Sequence, residues 1–329
     1  MKLAILGCGN WGSVFAMIQH AKGHNIRIWE YDQERAVKVK KTRDNGPFLK
    51  GYRIPDNIDI HWDISKATCG ADIIVIAIPC QTLSDVFSKL THTGVTCSSV
   101  LNLVKGIDVE TLQLPHEIIK SSGNSRTAVF SLSGPCIANE IIRGAPTAAV
   151  IVGDHIDDVS QLQQELSTDT FRLYLGDDIF GVELGAALKN VIALGCGISD
   201  GLGYGTNAKG ALITRGIVEI QRLGAKMGAH SKTFWGLSGL GDLVTTSFST
   251  DSRNYNFGRH LGEGQTMEEI QQEMVMVAEG VSTSLAVEKL RQRHDIEMPI
   301  CESVYSILYR NKSPQQAIQE LMMRPLTHE

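Results

Sequence analysis

KLAILGCGNWG (2–12) is the stretch that decides the fold of this 329-residue chain. An apolar run over 2–6 leads directly into G-x-G-x-x-G, whose glycines are Gly7, Gly9 and Gly12. Between a strand and a helix, the first glycine allows a tight turn and the second lets the backbone approach a pyrophosphate. The third lets the helix pack closely on the strand. The stretch predicts a dinucleotide-binding βα unit; a glycine-rich turn without a ligand is the alternative.

Further short apolar runs follow in the first half of the chain, rich in Val and Ile and without strict polar alternation. This pattern is typical of strands buried on both faces of a mostly parallel sheet. Helical patterns alternate with these runs, so we expect an N-terminal Rossmann-type, doubly wound α/β sheet. The runs are NIRIW (25–29), DIIVIAI (72–78), SVLNLV (99–104), TAVFS (127–131), TAAVIV (147–152) and, as a late edge strand, FRLYL (171–175).

Strand-like runs nearly vanish after about residue 180, and helical patterns continue to the end of the sequence. Thr266, with Glu269 three positions later, forms a capping box that begins one of these helices. The other helical segments are 183–198, 211–228, 281–294 and 314–323. We therefore expect a dinucleotide-binding domain over 1–180 and an all-α C-terminal domain over 181–329.

Composition and charge argue against several classes of protein. A chain with 43% hydrophobic residues is ordinarily globular, and a net charge of -5 gives no basic footprint for nucleic acid. The seven cysteines include no C-x-x-C pair, which argues against a disulfide framework or a zinc site and favours a reduced, cytoplasmic compartment. There is also no H-E-x-x-H, so we expect no metal.

Two apolar stretches are candidates for a signal peptide or a membrane-spanning helix. The N-terminal run over 3–6 is shorter than the roughly 7–15 residues of a signal-peptide core. ADIIVIAIPC (71–80), taken as the longest apolar candidate, has strand length, whereas a spanning helix needs about 18 or more residues. We therefore expect a soluble, unprocessed chain without membrane insertion.

Three charged residues occupy positions where ligands gather. Glu30 follows the second strand, where an acidic residue bonds the adenosine ribose and favours NAD over NADP; a solvated glutamate is the alternative. Lys105 and Gly134 follow later strands, at the carboxyl ends where open α/β sheets bind ligands. Lys189 lies in the apolar helix GAALKNVIA (185–193), where desolvation would lower its pKa into the range of proton exchange. A lysine snorkelling from the helix face would give the same pattern.

The stretch GLSGLGDLVTTSFSTDSRN (236–254) predicts a loop that holds something small and charged. Asp242 within it can orient Lys189, or can simply form a turn after Gly241. Together with GCGNWG, VKGI, SGP-x-x-A-x-E, ALKNVIALGCGISDGLGYGTNAKGALITRG and AEGVSTS, in this order over residues 7 to about 284, it strongly resembles NAD(P)-dependent glycerol-3-phosphate dehydrogenase of the bacterial type.

The resemblance implies hydride transfer between NAD(P)H and dihydroxyacetone phosphate, giving sn-glycerol 3-phosphate for phospholipid synthesis, by a homodimer. The helical domain would bind this phosphorylated substrate and carry catalysis, with Lys189 exchanging the proton at the C2 oxygen. The catalytic group implied is Lys105, Lys189, Asp242 and Thr246. The substrate contacts implied are Lys105, Gly134, Cys136, Lys189, Asp242, Ser252, Arg253 and Asn254. The cofactor contacts implied, beyond Gly7, Gly9, Gly12 and Glu30, are Asn10, Trp11, Tyr31, Lys105, Ala138, Arg253, Val277 and Glu279.

Two positions depart from the family pattern. Cys136 stands where Ser or Thr is expected, so the substrate contact there is through the backbone or is weaker. EYD at 30–32 is acidic where many relatives carry a basic residue, so we expect NADH to serve at least as well as NADPH. The alternative is that Arg35, one helical turn further on, swings back and binds the 2′-phosphate of NADPH.

Two rival functions are weighed against this one. A dehydrogenase of hydroxy acids or of 6-phosphogluconate would need a carboxylate-binding constellation that 236–254 does not resemble. A non-catalytic dinucleotide sensor would have no use for Lys105, Lys189 and Arg253 together.

Overall fold

The computed structural model describes residues 1–95, 98–122, 127–326 and 328, so Cys97 lies outside the described part. The chain divides into two compact units. The first unit comprises Met1–Lys105 and Gln113–Glu183, and the second comprises Gly106–Leu112 and Leu184–Glu329.

The first unit contains one sheet of eight strands, in the spatial order β3-β2-β1-β4-β5-β6-β7-β8. The first six strands run parallel to one another, β7 pairs antiparallel with β6, and β8 pairs parallel with β7. The strands are β1 (Lys2–Leu6), β2 (Asn25–Trp29), β3 (Asp59–His61), β4 (Ile73–Ile76), β5 (Ser99–Asn102), β6 (Ala128–Ser133), β7 (Thr147–Gly153) and β8 (Phe171–Leu175).

Helices connect these strands. They are α1 (Asn10–Ala21), α2 (Gln33–Thr42), α3 (Ile64–Thr68), α4 (Leu83–His92), α5 (Pro115–Ser122), α6 (Ala138–Ile142) and α7 (Ile156–Leu166), with short 3₁₀ turns at Gly46–Phe48 and Cys80–Thr82. The order 3-2-1-4-5-6 of the parallel strands confirms the predicted Rossmann-type fold, and β8 lies at the predicted edge. The sequence prediction missed β3, which has only three residues.

The side chains of β1 explain why its sequence lacks polar alternation. Leu3 and Ile5 belong to one hydrophobic cluster, and Ala4 and Leu6 belong to another. Successive side chains of a strand point to opposite faces, so both faces of this strand are covered. A strand covered on both faces needs apolar residues at every position.

The glycine-rich loop between β1 and α1 is closely packed at two of its three glycines. Gly7 has a φ of +117°, and a Cβ there would lie 2.3 Å from the carbonyl oxygen of Ala77, which follows β4. A Cβ on Gly12 would lie 2.1 Å from the carbonyl oxygen of Gly7. A Cβ on Gly9, in contrast, would meet no atom within 4 Å. The loop therefore needs two glycines for its own packing, while Gly9 borders open space.

The second unit is helical in its described part. The chain enters it within α8 (Ile179–Gly201). The later helices are α9 (Thr206–Lys226), α10 (Asp242–Phe248), α11 (Arg253–Gly262), α12 (Met267–Glu273), α13 (Glu279–His294), α14 (Pro299–Tyr309) and α15 (Pro314–Met322). The predicted capping box of Thr266 and Glu269 begins α12, so that prediction is confirmed. The carboxylate of Glu219 accepts the backbone N–H groups of Ile300 and Cys301 at the start of α14.

The helix α8 corrects one expectation from the sequence. It has 23 residues and a mean hydropathy of 1.5 over its most apolar window, so by length and composition it could cross a membrane. The longest apolar segment is therefore α8, and residues 71–80 were the wrong candidate. The apolar residues of α8 are interrupted by glycines, by Lys189 and by Asn190, although the mean hydropathy of the helix remains high. Since 89% of that window is buried, α8 has the burial of a core helix.

Alanine substitutions at two of the loop glycines should show which glycine is closely packed and which borders open space. Gly12→Ala forces a Cβ against Gly7, and overpacking of this kind costs about 1–3 kcal/mol, so its thermal midpoint should fall by several degrees. Gly9→Ala is the control, and its midpoint should stay within about one degree of the wild-type value. Differential scanning calorimetry measures both, and equal midpoints would contradict this view of the loop.

Candidate active site

The helix α8 is the element on which the site of the second unit is built. Other helices approach its backbone at glycines: a Cβ on Gly258 of α11 would lie 2.1 Å from the carbonyl oxygen of Leu194. A Cβ on Gly280 of α13 would lie 2.6 Å from the carbonyl oxygen of Asn190. These contacts have no room for a side chain. They therefore fix the middle of α11 and the start of α13 against α8, which carries Lys189.

Lys189 is buried, and its ammonium is held by two side chains of α10. Its Nζ lies 3.0 Å from Oδ1 of Asp242 and donates a hydrogen bond of 2.6 Å to Oγ1 of Thr246. Thr246 in turn donates to Oδ1 of Asp242 at 3.1 Å. Asp242 and Thr246 are four residues apart, so one face of α10 presents both. The structure thus brings together three of the four predicted catalytic residues.

The stretch 236–254 is not the loop that its sequence predicts. It forms a π-helical turn at Leu237–Gly241, then α10, then a short connection to α11. Its glycine, serine and threonine content is typical of loops. Here, however, Ser238, Thr246 and Ser247 are buried helical residues. The prediction was wrong because small polar residues pack these short helices together.

The start of α11 carries the three predicted substrate contacts at the end of this stretch. Ser252 is the N-cap, and its hydroxyl accepts the N–H of Tyr255. Arg253 is the first residue of the helix and keeps an exposed surface. Desolvation lowers the pKa of Arg253, and the nearby Glu279 carboxylate opposes that shift. Its guanidinium makes no described hydrogen bond or ion pair. Arg253 thus has one exposed side, while protein atoms surround the rest of it, and this arrangement would suit a cation that binds an anion.

Asn190 belongs to the same network, although the sequence prediction did not single it out. Its Oδ1 accepts Nδ2 of Asn254 at 2.8 Å, and Oδ1 of Asn254 accepts the N–H of Gly280 at 2.8 Å. The position of Asn190 beside Lys189 in ALKNV was the available signal. Through these bonds α8 fixes the orientation of Asn254. Glu279 begins α13, whereas Val277 precedes it and is 52% exposed.

The first unit carries most of the predicted dinucleotide contacts, all except Arg253, Val277 and Glu279. No side chain caps α1, whose N-cap is Gly9, so the N–H groups of its first turn remain available to an anion. Because Gly9 borders open space, the loop fits a pyrophosphate that approaches the backbone. Asn10 donates to the carbonyl oxygen of Phe48 at 2.8 Å. Trp11 packs against Phe15 and Phe171.

Glu30 lies at the predicted strand end, but its carboxylate is directed at a protein partner. It is 2% exposed and forms an ion pair with Arg35, and it also accepts the N–H of Asp32. Desolvation raises the pKa of Glu30, and the Arg35 charge opposes this shift. Tyr31, the next residue, is 79% exposed.

Arg35 is itself held by several groups besides Glu30. It donates to the carbonyl oxygen of Cys8 in the glycine-rich loop and, at 2.7 Å, to Oδ1 of Asn45. Its guanidinium lies 4.0 Å from the centre of the Phe48 ring. The pair of Glu30 and Arg35 therefore presents little net charge.

Lys105 and Gly134 meet at the ends of β5 and β6. Nζ of Lys105 donates to the carbonyl oxygen of Gly134 at 3.0 Å. Gly134 has a φ of +143°, and a Cβ there would lie 2.9 Å from Cα of Ala149. Cys136 is half-buried just beyond, and Ala138 begins α6. The structure thus groups the predicted contacts of the first unit at strand ends.

A second buried lysine of the second unit was missed by the sequence prediction. Nζ of Lys209 lies 2.5 Å from Oδ2 of Asp200, between the rings of Phe248 and Tyr255 at 4.6 and 4.9 Å. Tyr255 also donates to Asp200 at 2.7 Å. This cluster ties the end of α8 to α9 and α11. Within the described ranges, no group of three or more His, Cys, Asp or Glu residues could hold a metal ion.

Comparison with known proteins identifies the family. Residues 2–158 match the N-terminal model, and residues 178–319 the C-terminal model, of NAD-dependent glycerol-3-phosphate dehydrogenase. The chain belongs to this family. Membership makes it a nicotinamide-dinucleotide-dependent oxidoreductase, and it confirms the resemblance drawn from the sequence motifs.

Individual relatives cover the chain from end to end. A glycerol-3-phosphate dehydrogenase [NAD(P)+] of Thermoanaerobacter sp. (strain X514) is 42% identical over 100% of this chain and 99% of its own. One of Chlorobium phaeobacteroides (strain BS1) is 40% identical over 98% of each. The crystal structure of glycerol-3-phosphate dehydrogenase from Coxiella burnetii has a TM-score of 0.94 and 35% identity, over 98% of this chain and 99% of that one.

Replacing each buried lysine by methionine should distinguish a catalytic amine from a structural one. We expect Lys189→Met to lower kcat by about 10²–10⁴-fold, the usual effect of removing a positioned acid or base, while dinucleotide binding survives. Lys209→Met is the matched control, because it removes a buried, ion-paired lysine of the same unit. It should lower kcat by less than about tenfold. Steady-state rates and NADH titration measure these effects; similar losses of kcat would contradict the assignment of Lys189.

Proposed function

We propose that this chain interconverts dihydroxyacetone phosphate and sn-glycerol 3-phosphate with NAD(H) or NADP(H). The observation that carries the proposal is the buried cluster of Lys189, Asp242 and Thr246. It supplies a positioned ammonium, and reduction of a ketone needs such a group to stabilise and protonate the carbonyl oxygen. Residues 1–180 would form the dinucleotide-binding domain and residues 181–329 the substrate-binding and catalytic domain.

The proposed chemistry divides between the bound dinucleotide and Lys189. When bound, the reduced nicotinamide supplies the hydride to C2 of the ketone. The Lys189 ammonium polarises the C2 carbonyl and gives its proton to the oxygen. Asp242 stabilises the ammonium and orients it, and Thr246 fixes its direction. In the reverse reaction the neutral amine takes that proton from the C2 hydroxyl. Lys105, which the family resemblance places among the catalytic residues, would contribute a second cation.

The substrate phosphate would be held at the start of α11. Arg253 offers a guanidinium that no described protein carboxylate engages within hydrogen-bond distance, and Asn254 is held by Asn190. Charge-assisted hydrogen bonds from a guanidinium to a phosphate are strong and directional. Binding energy gained at the phosphate then orients the distant C2 carbon. The half-buried Cys136 would contribute through its backbone.

Removing the Arg253 charge should discriminate between phosphorylated and unphosphorylated substrates. Loss of one partner from a desolvated charge pair costs about 2–5 kcal/mol, so Arg253→Ala should lower kcat/KM for dihydroxyacetone phosphate by about 30-fold or more. Activity with dihydroxyacetone should be low in the wild type and change far less.

Arg259→Ala is the control for this substitution, because Arg259 is a partly exposed, salt-bridged residue of the same helix. It should change kcat/KM for either substrate by less than about threefold. An equal loss for both substrates in Arg253→Ala would assign Arg253 to the cofactor or to folding instead.

We also propose that NADH serves at least as well as NADPH. Arg35 is already bonded to Glu30, Cys8 and Asn45, so it offers no free cation to a 2′-phosphate. Withdrawing it would leave the buried Glu30 carboxylate without its counter-charge, which is costly. This support comes from the pair of side chains rather than from Glu30 alone.

Neutralising Glu30 should shift the cofactor preference toward NADPH. Glu30→Gln removes the charge that neutralises Arg35, so the ratio of kcat/KM for NADPH to that for NADH should rise by about tenfold, the effect of one charge-assisted bond. Asp32→Asn, a neighbouring carboxylate that caps α2, is the control and should leave the ratio within about threefold. A wild-type preference for NADPH above tenfold would contradict the proposal.

We further propose a cytoplasmic homodimer that supplies glycerol 3-phosphate for phospholipid synthesis. A groove of about 1500 Å³ in the second unit is lined by the start of α9, by α15 and by the C-terminal segment. Met322 and Leu326, which line it, are 79% and 103% exposed. An exposed apolar segment that lines a groove of this size suits a twofold contact with a second copy.

Sedimentation velocity tests this assembly. Leu326→Asp should convert a dimer into a monomer, because it places a charge in the apolar contact. Val37→Asp, at an exposed apolar residue of the first unit, should leave the dimer intact. A monomeric wild type, or a dimer that persists in Leu326→Asp, would contradict the proposed surface.

A further inference from the structure

Glu183, in the first turns of α8, has a buried carboxylate that joins three elements of the first unit. Its Oε1 accepts Nδ2 of Asn102 at 2.7 Å and the hydroxyl of Ser131. Its Oε2 accepts the backbone N–H of His116 at 3.0 Å and contacts Nδ1 of the same residue at 2.8 Å. Asn102 ends β5, Ser131 lies in β6, and His116 lies in the first turn of α5. We call these four residues the Glu183 cluster.

The Glu183 carboxylate is buried, and its burial needs an explanation because a buried charge is costly. Glu183 is 2% exposed, and no described ion pair joins it to a lysine or arginine. A carboxylate removed from water is costly unless hydrogen bonds satisfy its oxygens. Every donor of the Glu183 cluster is also buried, so Glu183 and its partners depend on one another. An apolar side chain would avoid this cost, which suggests that the carboxylate does more than fill space.

Asn102 links the cluster to Lys105. While its Nδ2 is held by Glu183, its Oδ1 accepts the N–H of Val104 at 2.9 Å. Nδ2 also lies 3.3 Å from the carbonyl oxygen of Val104. The Asn102 side chain therefore clamps the turn that leads from β5 into Lys105. Without Glu183 the Asn102 amide keeps only its longer contacts, with the Val104 carbonyl oxygen at 3.3 Å and Oγ of Ser131 at 3.4 Å, so its hold on Val104 is weakened.

The cluster also reaches the acceptor of the Lys105 amine. Ser131, held by Glu183, lies in β6 three residues before Gly134, whose carbonyl oxygen accepts Nζ of Lys105 at 3.0 Å. Glu183 is thus bonded to both strands whose ends form the contact of Lys105 with Gly134. A displacement of β5 relative to β6 would move the amine from its acceptor.

We infer that Glu183 is a positioning residue for Lys105, acting through Asn102 and Ser131. This inference rests on the proposed function, in which Lys105 touches the reacting groups. Glu183 touches neither substrate nor cofactor in this role. It fixes the two strand ends so that the amine is placed before the ligands arrive, and pre-placement of a catalytic group increases the rate.

A double-mutant cycle in the full-length protein tests this inference. Glu183→Gln keeps the shape of the side chain but turns an NH₂ group toward one of the donors. It should lower kcat/KM for dihydroxyacetone phosphate by roughly tenfold, within the range for coupled neighbours. Lys105→Met should lower it by about 100-fold or more. If Glu183 acts through Lys105, the double variant should resemble Lys105→Met alone. Multiplication of the two losses would overturn the inference.

Glu219→Gln is the matched control, because Glu219 is also a buried carboxylate that accepts backbone N–H groups at a helix start. It should lower the thermal midpoint but change kcat/KM by less than about threefold, and its effect should multiply with that of Lys105→Met. Should Glu183→Gln fail to fold, Asn102→Ala replaces it in the cycle, since that variant removes the clamp on Val104 directly. It should show the same coupling to Lys105.

A readout without turnover separates this inference from the proposed function. Acetic anhydride labelling followed by mass spectrometry reports the reactivity of each lysine amine in the unliganded protein. We expect Glu183→Gln to change the labelling rate of Lys105 by about threefold or more, and that of Lys189 by much less. Labelling that changes as expected in a protein inactive with dihydroxyacetone phosphate would support the positioning and contradict the proposed function. Unchanged labelling of Lys105 would overturn the positioning.

Discussion

The ion pair between the buried Lys189 ammonium and the Asp242 carboxylate is the contact on which the second unit depends. An ammonium removed from water is destabilising unless a counter-charge and hydrogen bonds accompany it. Asp242 and Thr246 provide both, and they can do so only if α10 lies directly against α8. The glycines of α11 and α13 allow the same closeness at neighbouring turns of α8. Close helix packing and a buried charge are therefore two aspects of one arrangement.

The first unit is under a different constraint: backbone groups of its glycine-rich loop must stay available for a ligand while the sheet stays rigid. Gly7 and Gly12 pack closely against other backbone atoms, whereas Gly9 and the uncapped start of α1 border open space. Beside this loop Arg35 is bonded to Glu30 and Cys8, and at the ends of β5 and β6 Glu183 is bonded to Asn102 and Ser131. Such fixed polar groups keep the ligand-facing backbone in place before binding, which reduces the ordering that binding requires.

Much of the fold was predictable because the interactions that determine these elements join residues close together in sequence. Apolar runs covered on both faces, the G-x-G-x-x-G turn and the capping box at Thr266 are all short-range patterns. The helical nature of 236–254 was not predictable, since its small polar residues are ordinarily loop formers. The partner of Glu30 was missed because Arg35 reaches it only through the turn from β2 into α2. The Glu183 cluster joins residues up to 81 positions apart, so no local pattern could reveal it.

The most direct test of the central claim is chemical rescue of Lys189→Ala by small amines, measured as the single-turnover rate of NADH oxidation with dihydroxyacetone phosphate. The cavity left by the lysine lies beside Asp242 and Thr246, where a primary ammonium can bind. We expect methylammonium to raise the rate in proportion to its concentration, and tetramethylammonium, which carries charge but no N–H proton, to leave it unchanged. Equal stimulation by both cations, or a wild-type rate without any amine, would contradict proton transfer by Lys189.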